Sequence, residues 1–169
     1  MKAGKWKESD LDIQPQPART PQPNIELKSA KGVNYHQLEQ LLKAGNWKEA
    51  DEETAKKMVE AAGRTKEGFL VGIDNNFPCE DLRTIDQLWV KYSNGRFGFS
   101  VQQRIYKSLG GARKPLAWAE FCDIVGWRRV DGKWEEYKDL KFHQTAPVGH
   151  LPRQTGGIGY FSRVQTCRL

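Results

Sequence analysis

The stretch that decides the fold is FPCEDLRTIDQLWVKYSNGRFGFSVQQRI, residues 77–105. Pro78 opens a segment whose apolar residues recur every three or four positions, which predicts a helix with one apolar face. These residues are Leu82, Ile85, Leu88, Trp89 and Tyr92. Asn94-Gly95 is a strong helix stop, and a capping box at Ser100 and Gln103 opens the next helix after a Phe97-Gly98-Phe99 hinge. The stretch predicts two helices and places Trp89 in the core.

Two helices are predicted upstream of this stretch. Asn34 can cap the first, and Gly45 can end it. Asn46 begins the second, with Glu49 forming a capping box, and Gly63 stops it. Both segments carry apolar residues at helical spacing. The N-terminal part of the domain is therefore expected to be a pair of helices.

Downstream, one more helix is predicted before the pattern becomes irregular. Pro115 starts this helix and Gly126 ends it. The run Val130-Asp131-Gly132-Lys133-Trp134 indicates a tight hairpin or turn. Helical periodicity is poor over residues 127–152. The sequence predicts an all-α, compact multi-helix domain with one long, partly irregular aromatic loop.

The N-terminal 30 residues differ from the rest in composition. Residues 11–24 alternate Pro and Gln, which is typical of an extended linker. The preceding MKAGKWKESD matches LKAGNWKEAD, residues 42–51, at seven of ten positions, either as a relic of a duplicated helical unit or by chance. We expect a disordered stub and linker over residues 1–30, and a domain over residues 31–169 that ends in a flexible tail.

Charge and cysteine content limit the class of protein. Residues 1–89 hold 13 basic and 15 acidic residues, and residues 90–169 hold 14 basic and 6 acidic ones. The basic half favours an anionic partner, although solvated surface charge explains it equally well. Three widely spaced cysteines, without a CxxC motif, argue against a disulfide framework. No apolar run is long enough to span a bilayer and no secretory signal begins the chain, so we expect a cytoplasmic protein.

Catalytic and metal motifs are weak in this sequence. His36 and His143 have no nucleophile signature beside them, and Glu135-Glu136 is more typical of a solvated pair than of an acid–base dyad. His150 could bind a metal, but a histidine between Gly and Leu more often fixes a loop through backbone hydrogen bonds. The glycine-rich residues 155–159 lack the Lys-Ser/Thr of a phosphate loop. We expect no enzyme activity and no metal bound by the protein alone.

The aromatic cluster after the predicted helices is the sharper signal. Its apolar members are Trp127, Trp134, Tyr137, Leu140 and Phe142, and its cations are Arg128, Arg129, Lys138 and Lys141. The apolar residues could fold inward as a small core. A long loop is also often a binding element, and a flat ligand with carboxylates needs apolar walls and a few cations. Single-stranded nucleic acid would use a similar mixture.

Four motifs carry a resemblance to a known family. NYHQLEQLLKAGNWKEADEET, FPCEDLRTIDQLW, SNGRFGFSVQ and APVGHLP occur in the order and spacing of the genomes-uncoupled (GUN4-like) regulators of magnesium chelatase. The resemblance spans about residues 31–152. It implies an all-α domain shaped like a cupped hand, which binds protoporphyrin IX or Mg-protoporphyrin IX in an apolar cleft. It also implies that a mobile loop before the GHLP motif closes over the ring, and that the domain stimulates the chelatase without doing chemistry itself.

The resemblance also implies a set of ligand-binding residues. One wall of the cleft would come from the loop, with Trp134 and Phe142 matching family aromatics, Tyr137 replacing a Trp and Leu140 replacing a Phe. The opposite wall would come from Phe69, Leu70 and Val71, of which Val71 replaces a Phe. Ala55 replaces a family Arg, so Lys56 or Lys57, with Arg153 or Arg163, would have to meet the propionates.

The expected partners follow from the same resemblance. The ligand would be a tetrapyrrole, and a protein partner would be the large porphyrin-binding subunit of magnesium chelatase. We expect a monomer from a photosynthetic organism such as a cyanobacterium, cytoplasmic or peripheral to photosynthetic membranes. Nucleic acid is not an expected partner. The alternative is a protein-interaction or signalling module of the same fold that has lost its ligand, as Ala55, Val71 and Tyr137 would suggest.

Overall fold

A computed structural model describes residues 24–66, 76–153 and 159–169. The helices are α1 (His36–Ala44), α2 (Trp47–Ala61), α3 (Cys79–Tyr92), α4 (Phe99–Ser108), α5 (Ala117–Ile124) and α6 (Gly159–Thr166). Among the described residues, 3₁₀ turns lie at Gly111–Arg113 and Tyr137–Asp139. Within these ranges there is no strand, and an isolated antiparallel bridge joins Arg128 and Trp134. The predicted all-α class is confirmed.

Helix α3 lies at the centre of the core, as its apolar spacing predicts. Leu82, Ile85, Leu88 and Trp89 are fully buried. The Trp89 ring lies 6.1 Å from Trp47 and 6.3 Å from Phe97 between centroids. Its indole N–H donates a 2.9 Å hydrogen bond to Thr54 Oγ1 on α2, so the polar edge of the ring is also satisfied. The prediction that Trp89 belongs to the core is confirmed.

Helices α1 and α2 pack on each other through a sharp turn at Gly45. The φ of Gly45 is +74°, a left-handed conformation that glycine adopts without steric cost. The Asn34 side chain accepts a 2.9 Å hydrogen bond from the His36 N–H, as a capping residue does. At α2 the expected capping box is wrong, because the Asn46 side chain makes no cap hydrogen bond.

The α3–α4 junction requires glycine at position 98. Its φ is +131°, and a Cβ there would lie 2.8 Å from Val90 Cγ2 and 2.9 Å from Asp86 Oδ1. Asp86, on α3, accepts a 2.8 Å hydrogen bond from the Ser100 N–H in the first turn of α4. The predicted Ser100 cap is therefore wrong: a buried carboxylate from the preceding helix satisfies this end. Burial raises the pKa of Asp86, although hydrogen bonds from Ser100 and from the Phe99 N–H oppose that rise.

Both ends of the described chain make tertiary contacts that the sequence did not indicate. Residues 24–30 were expected in the mobile segment, but Thr84 Oγ1 donates to Lys28 O at 2.7 Å and Ala30 N–H donates to Asp81 Oδ2 at 3.0 Å. The expected flexible tail contains α6, whose Phe161 stacks on Tyr106 of α4 with centroids 4.4 Å apart. The segment is short and its apolar spacing is weak, so the sequence did not predict this helix. Tertiary packing stabilises it.

The cysteine prediction also needs correction. Cys79, at the start of α3, is disulfide-bonded to Cys167, just after α6. The two residues are 88 positions apart, so no local spacing could reveal the pair, and the fold brings their Cα atoms to 5.1 Å. Arg83 Nη2 donates a 2.7 Å hydrogen bond to Cys167 O beside the bridge. Cys122 is a free, buried thiol, and burial raises its pKa to about 12, so it stays protonated.

Candidate functional site

The two ends of the aromatic loop, residues 127–142, are anchored in the core. Trp127 is fully buried, with its ring centroid 5.3 Å from that of Phe121. Its indole N–H donates a 2.8 Å hydrogen bond to His150 O. Near the other end, the Leu140 side chain is also buried. Trp127 and Leu140 thus follow the inward-folding alternative that the sequence left open.

His150 fastens the loop to the segment after α5. Its Nδ1 lies 2.5 Å from Val125 O, and its Nε2 lies 3.0 Å from the Lys141 N–H. A carbonyl needs a donor and an N–H needs an acceptor, so the ring must be neutral with its proton on Nδ1. Burial lowers the pKa of His150, which favours the same neutral form. The interpretation of His150 as a loop-fixing residue is confirmed.

The middle of the loop presents apolar side chains to solvent. Among the described residues, the large apolar side chains with strong exposure are Leu116, Val130, Trp134 and Tyr137, and three of these four lie in the loop. The Arg128–Trp134 bridge and a 2.7 Å hydrogen bond from Arg129 N–H to Lys133 O form the predicted hairpin. This hairpin holds Trp134 away from the core, with 53% of its surface exposed.

Tyr137 and Phe142 form a ring pair next to the hairpin. Their centroids are 5.2 Å apart and their planes are tilted by 58°. The Tyr137 hydroxyl donates a 2.8 Å hydrogen bond to Asp51 Oδ2 on α2. The other oxygen of Asp51 accepts the Arg153 N–H at 2.5 Å. Burial raises the pKa of Asp51 to about 7, while both hydrogen bonds oppose that rise.

The predicted cations have partners within the protein. Lys57 Nζ lies 2.8 Å from Glu60 and 3.8 Å from Glu53, and Lys56 Nζ lies 3.5 Å from Glu53. Arg163 donates from Nε to Phe77 O at 2.7 Å, and from Nη2 to the same oxygen. The Arg153 guanidinium lies 4.5 Å above the Trp127 ring, within cation–π range. Of the two lysines, Lys56 has the more exposed side chain, at 72% against 11% for Lys57.

The structure thus brings together part of the predicted site. Tyr137 and the Arg153 backbone meet at Asp51, and Phe142 pairs with the Tyr137 ring. Trp134 lies on the neighbouring hairpin. Leu140 lies in the core rather than among the exposed residues. Phe69, Leu70 and Val71, the predicted opposite wall, lie outside the described residues. The ligand roles of all these residues stay predictions.

Asp51 is the site residue that sequence reasoning missed. It stands in a stretch rich in acidic residues, Ala50-Asp51-Glu52-Glu53, where most carboxylates are solvated. Its helical position does carry a signal: Asp51 is four residues after the buried Trp47 and three before the buried Thr54, on the inner face of α2. A carboxylate on an inner face requires buried donors, and these come from residues 86 and 102 positions away.

No group of three or more His, Cys, Asp or Glu side chains within the residues that the structure describes could hold a metal ion. None of the described helices combines the length and apolarity that crossing a bilayer demands.

Comparison with known proteins identifies one family. The model of the GUN4-like family matches residues 28–164 of this chain. The ycf53 protein of Porphyra purpurea is 37% identical over 133 residues, which cover 76% of this chain and 53% of the relative. The chloroplastic tetrapyrrole-binding protein of Arabidopsis thaliana is 31% identical over 122 residues, covering 68% of this chain and 46% of that protein. The chain spans about half the length of the curated relatives it matches.

A solved structure supports the same assignment. The structure of GUN4 from Chlamydomonas reinhardtii superposes with a TM-score of 0.68 at 27% sequence identity. The alignment covers 84% of this chain and 94% of that one. The residues that the family model matches, 28–164, include helices α1 to α5 and the aromatic loop.

Proposed function

This chain belongs to the GUN4-like family, and from that premise we propose that it binds a porphyrin, protoporphyrin IX or Mg-protoporphyrin IX, against its aromatic loop. The observation that carries the proposal is the exposure of Val130, Trp134 and Tyr137 on an element whose two ends are buried. Apolar side chains exposed together on an anchored element are typical of a binding surface. The name of the Arabidopsis relative supplies the class of ligand.

The chemistry of the loop suits a flat, largely apolar ring. Trp134, Tyr137 and Phe142 offer aromatic faces, which stack on a porphyrin at low conformational cost because each side chain has two rotatable bonds. Burying apolar surface contributes about 25 cal/mol per Å², from which the ordering of the loop subtracts. We expect these faces to dominate affinity, because an exposed ion pair to a propionate adds only about 0–1 kcal/mol.

Carboxylate recognition would use cations that already have internal contacts. Lys56 is largely exposed and its ammonium lies 3.5 Å from Glu53, so it can turn to a propionate at small cost. Lys57 is 9% exposed, between Glu53 and Glu60, and would lose more on turning outward. We therefore propose Lys56 ahead of Lys57 as the substitute for the Arg that Ala55 replaces.

The test is a titration of the full chain with protoporphyrin IX and, separately, with Mg-protoporphyrin IX, followed by tryptophan quenching. Saturable quenching at micromolar protein is expected. Tyr137→Ala and Phe142→Ala should each weaken binding about tenfold or more, as expected for removing one large apolar contact. Arg153→Ala should weaken it less, because its charge would act at the edge of the ring.

The matched control is Leu116→Ala. Leu116 is 65% exposed and apolar, but it lies outside the loop, just before α5. Its truncation should leave the porphyrin affinity unchanged, whereas non-specific adsorption of porphyrin to apolar surface would respond to it. Absence of saturable binding by the wild-type chain to either porphyrin would contradict the proposed function.

A second candidate function uses the same surface without a ligand. The Ala55 substitution removes one expected carboxylate partner, and Lys57 and Arg163 are engaged inside the protein. These observations favour a protein-interaction or signalling module, with the large subunit of magnesium chelatase as one partner to test. Binding of that subunit in a pull-down with purified proteins, lost in Trp134→Ala and retained in Leu116→Ala, would support this alternative.

A further inference from the structure

Asp51 is a buried carboxylate that the proposed porphyrin contacts do not use. It lies on α2 and is 4% exposed. Its Oδ2 accepts the Tyr137 hydroxyl at 2.8 Å, and its Oδ1 accepts the Arg153 N–H at 2.5 Å. The two donors come from the aromatic loop and from the segment after the GHLP motif, so one side chain joins three parts of the chain.

The burial of this carboxylate indicates a specific purpose for it. Taking a carboxylate out of water is costly unless hydrogen bonds replace the lost hydration. Asp51 makes one such bond with each of its oxygens, and burial still raises its pKa to about 7. A Leu or Ala here would avoid the cost entirely but would leave the Tyr137 hydroxyl and the Arg153 N–H without this acceptor. The side chain therefore fixes the positions of these two donors.

The loop depends on this acceptor for the orientation of its exposed rings. Trp127 and Leu140 fasten the loop at two points, but the ring of Tyr137, between them, is 40% exposed. The Tyr137 ring pairs with the Phe142 ring, 5.2 Å away between centroids, and its hydroxyl is bonded to the carboxylate of Asp51. Without the hydroxyl bond, the Tyr137 side chain and the 3₁₀ turn it begins would be free to sample other orientations.

We propose that Asp51 is a positioning residue of the porphyrin site, which holds Tyr137, and through it the Tyr137–Phe142 ring pair, against α2 in the orientation that receives the ring. The inference rests on the proposed function for its ligand, while the tether between Asp51 and the loop stands independently of any ligand. Because the wall is then ordered before the ligand arrives, less ordering entropy opposes binding.

The first arm of the test measures the tether without ligand. Amide hydrogen exchange of the full chain is compared between wild type, Tyr137→Phe and Tyr92→Phe. Tyr92 is the matched control, because its hydroxyl donates a 2.9 Å hydrogen bond to Glu39 on the α1–α3 face. Tyr137→Phe should speed exchange in residues 136–142 about tenfold, which equals about 1.4 kcal/mol, and Tyr92→Phe should leave those residues unchanged. Unchanged loop exchange in Tyr137→Phe would overturn the proposal.

The second arm measures protoporphyrin IX binding by stopped flow. Tyr137→Phe keeps the ring, so a role in positioning predicts about three- to tenfold weaker affinity, mostly from faster dissociation. Asp51→Asn should act in the same direction, and the double variant should be no weaker than the weaker single variant, because both remove one bond. Unchanged affinity in Tyr137→Phe despite faster loop exchange would refute the positioning role.

The two arms separate this inference from the proposed function. If wild type binds no porphyrin but Tyr137→Phe loosens the loop, the proposed ligand is wrong and the tether is real. If wild type binds porphyrin and Tyr137→Phe changes neither exchange nor affinity, the function holds and Asp51 has no role in it. Tyr137→Phe removes only one hydroxyl, from a residue that is 40% exposed, so it tests the inference even if Asp51→Asn does not fold.

Discussion

Trp127 and Trp134 are the same residue type seven positions apart in one loop, yet they have opposite environments. Trp127 is fully buried between Phe121 and the Arg153 guanidinium, and its indole N–H is bonded to His150 O. Trp134 is 53% exposed on the hairpin. The loop therefore combines a buried base, formed by Trp127 and Leu140, with an exposed tip around Trp134. The base stabilises the fold, and the tip is available to bind a partner.

The largest effect is expected at the base. Trp127→Ala removes a fully buried ring and leaves a cavity, so it should lower the free energy of unfolding by about 3–5 kcal/mol. Urea unfolding monitored by circular dichroism measures this loss. A change below about 1 kcal/mol would show that the base is not part of the core, and the distinction between base and tip would fail.

The disulfide fixes the frame on which the base rests. Replacing both Cys79 and Cys167 by Ser should lower the free energy of unfolding by about 2–4 kcal/mol, because a cross-link over a long loop restricts the unfolded chain. A dithiol reductant should destabilise the wild type similarly and leave the double variant unaffected. If reductant shifts the urea midpoint of both proteins equally, the bridge between α3 and the end of α6 is not formed.

An intermediate effect on stability is expected at His150, whose ring connects the base of the loop to Val125. His150→Leu introduces an apolar side chain of similar volume and removes the partners of Val125 O and the Lys141 N–H. Leaving such buried groups unsatisfied should cost about 1–3 kcal/mol. Faster amide exchange at Lys141 should accompany the loss. Wild-type protection at Lys141 in this variant would contradict the role of the imidazole.

The pH dependence of stability sharpens the same point. Burial lowers the pKa of His150 in the folded protein, so the unfolded chain binds a proton at this residue more readily. The free energy of unfolding therefore decreases as the pH falls below about 6.5, the pKa of an unperturbed histidine. The pKa of Asp51 is raised to about 7, so its contribution has the opposite sign and is lost as pH rises from about 4 through 7. The wild-type minus His150→Leu difference isolates the histidine. That difference in free energy of unfolding should shrink on acidification, by at most about 1.4 kcal/mol per pH unit. A difference that does not change with pH would contradict the predicted effect of His150 protonation.

The smallest effect on stability is expected at the tip. Trp134→Ala should change the free energy of unfolding by no more than about 0.5 kcal/mol, because an exposed ring loses little on truncation. The same variant should weaken porphyrin binding more than Leu116→Ala does. A stability loss like that of Trp127→Ala would place Trp134 in the core and remove the surface on which the proposed function depends.

Local patterns in the sequence determined helices α1 to α5 and their approximate ends. Apolar residues at helical spacing identified α3 and placed Trp89 inside, and the stop at Asn94-Gly95 followed from backbone sterics. The Asn34 cap was also readable, because its acceptor and donor are two residues apart. These features depend on neighbours in the chain, and short-range periodicity records them. The motifs also identified the family, since their order and spacing are properties of the sequence alone.

The tertiary structure decided what depends on residues distant in the chain. The Cys79–Cys167 bridge, the Asp86 support of α4 and the packing of α6 join segments that no local pattern links. The same holds for the tryptophans of the loop: a ring is buried or exposed according to which elements fold against it, and both patterns look alike in sequence. Asp51 shows the reason most clearly, because a carboxylate among acidic neighbours becomes a tether only when donors 86 and 102 residues away reach it.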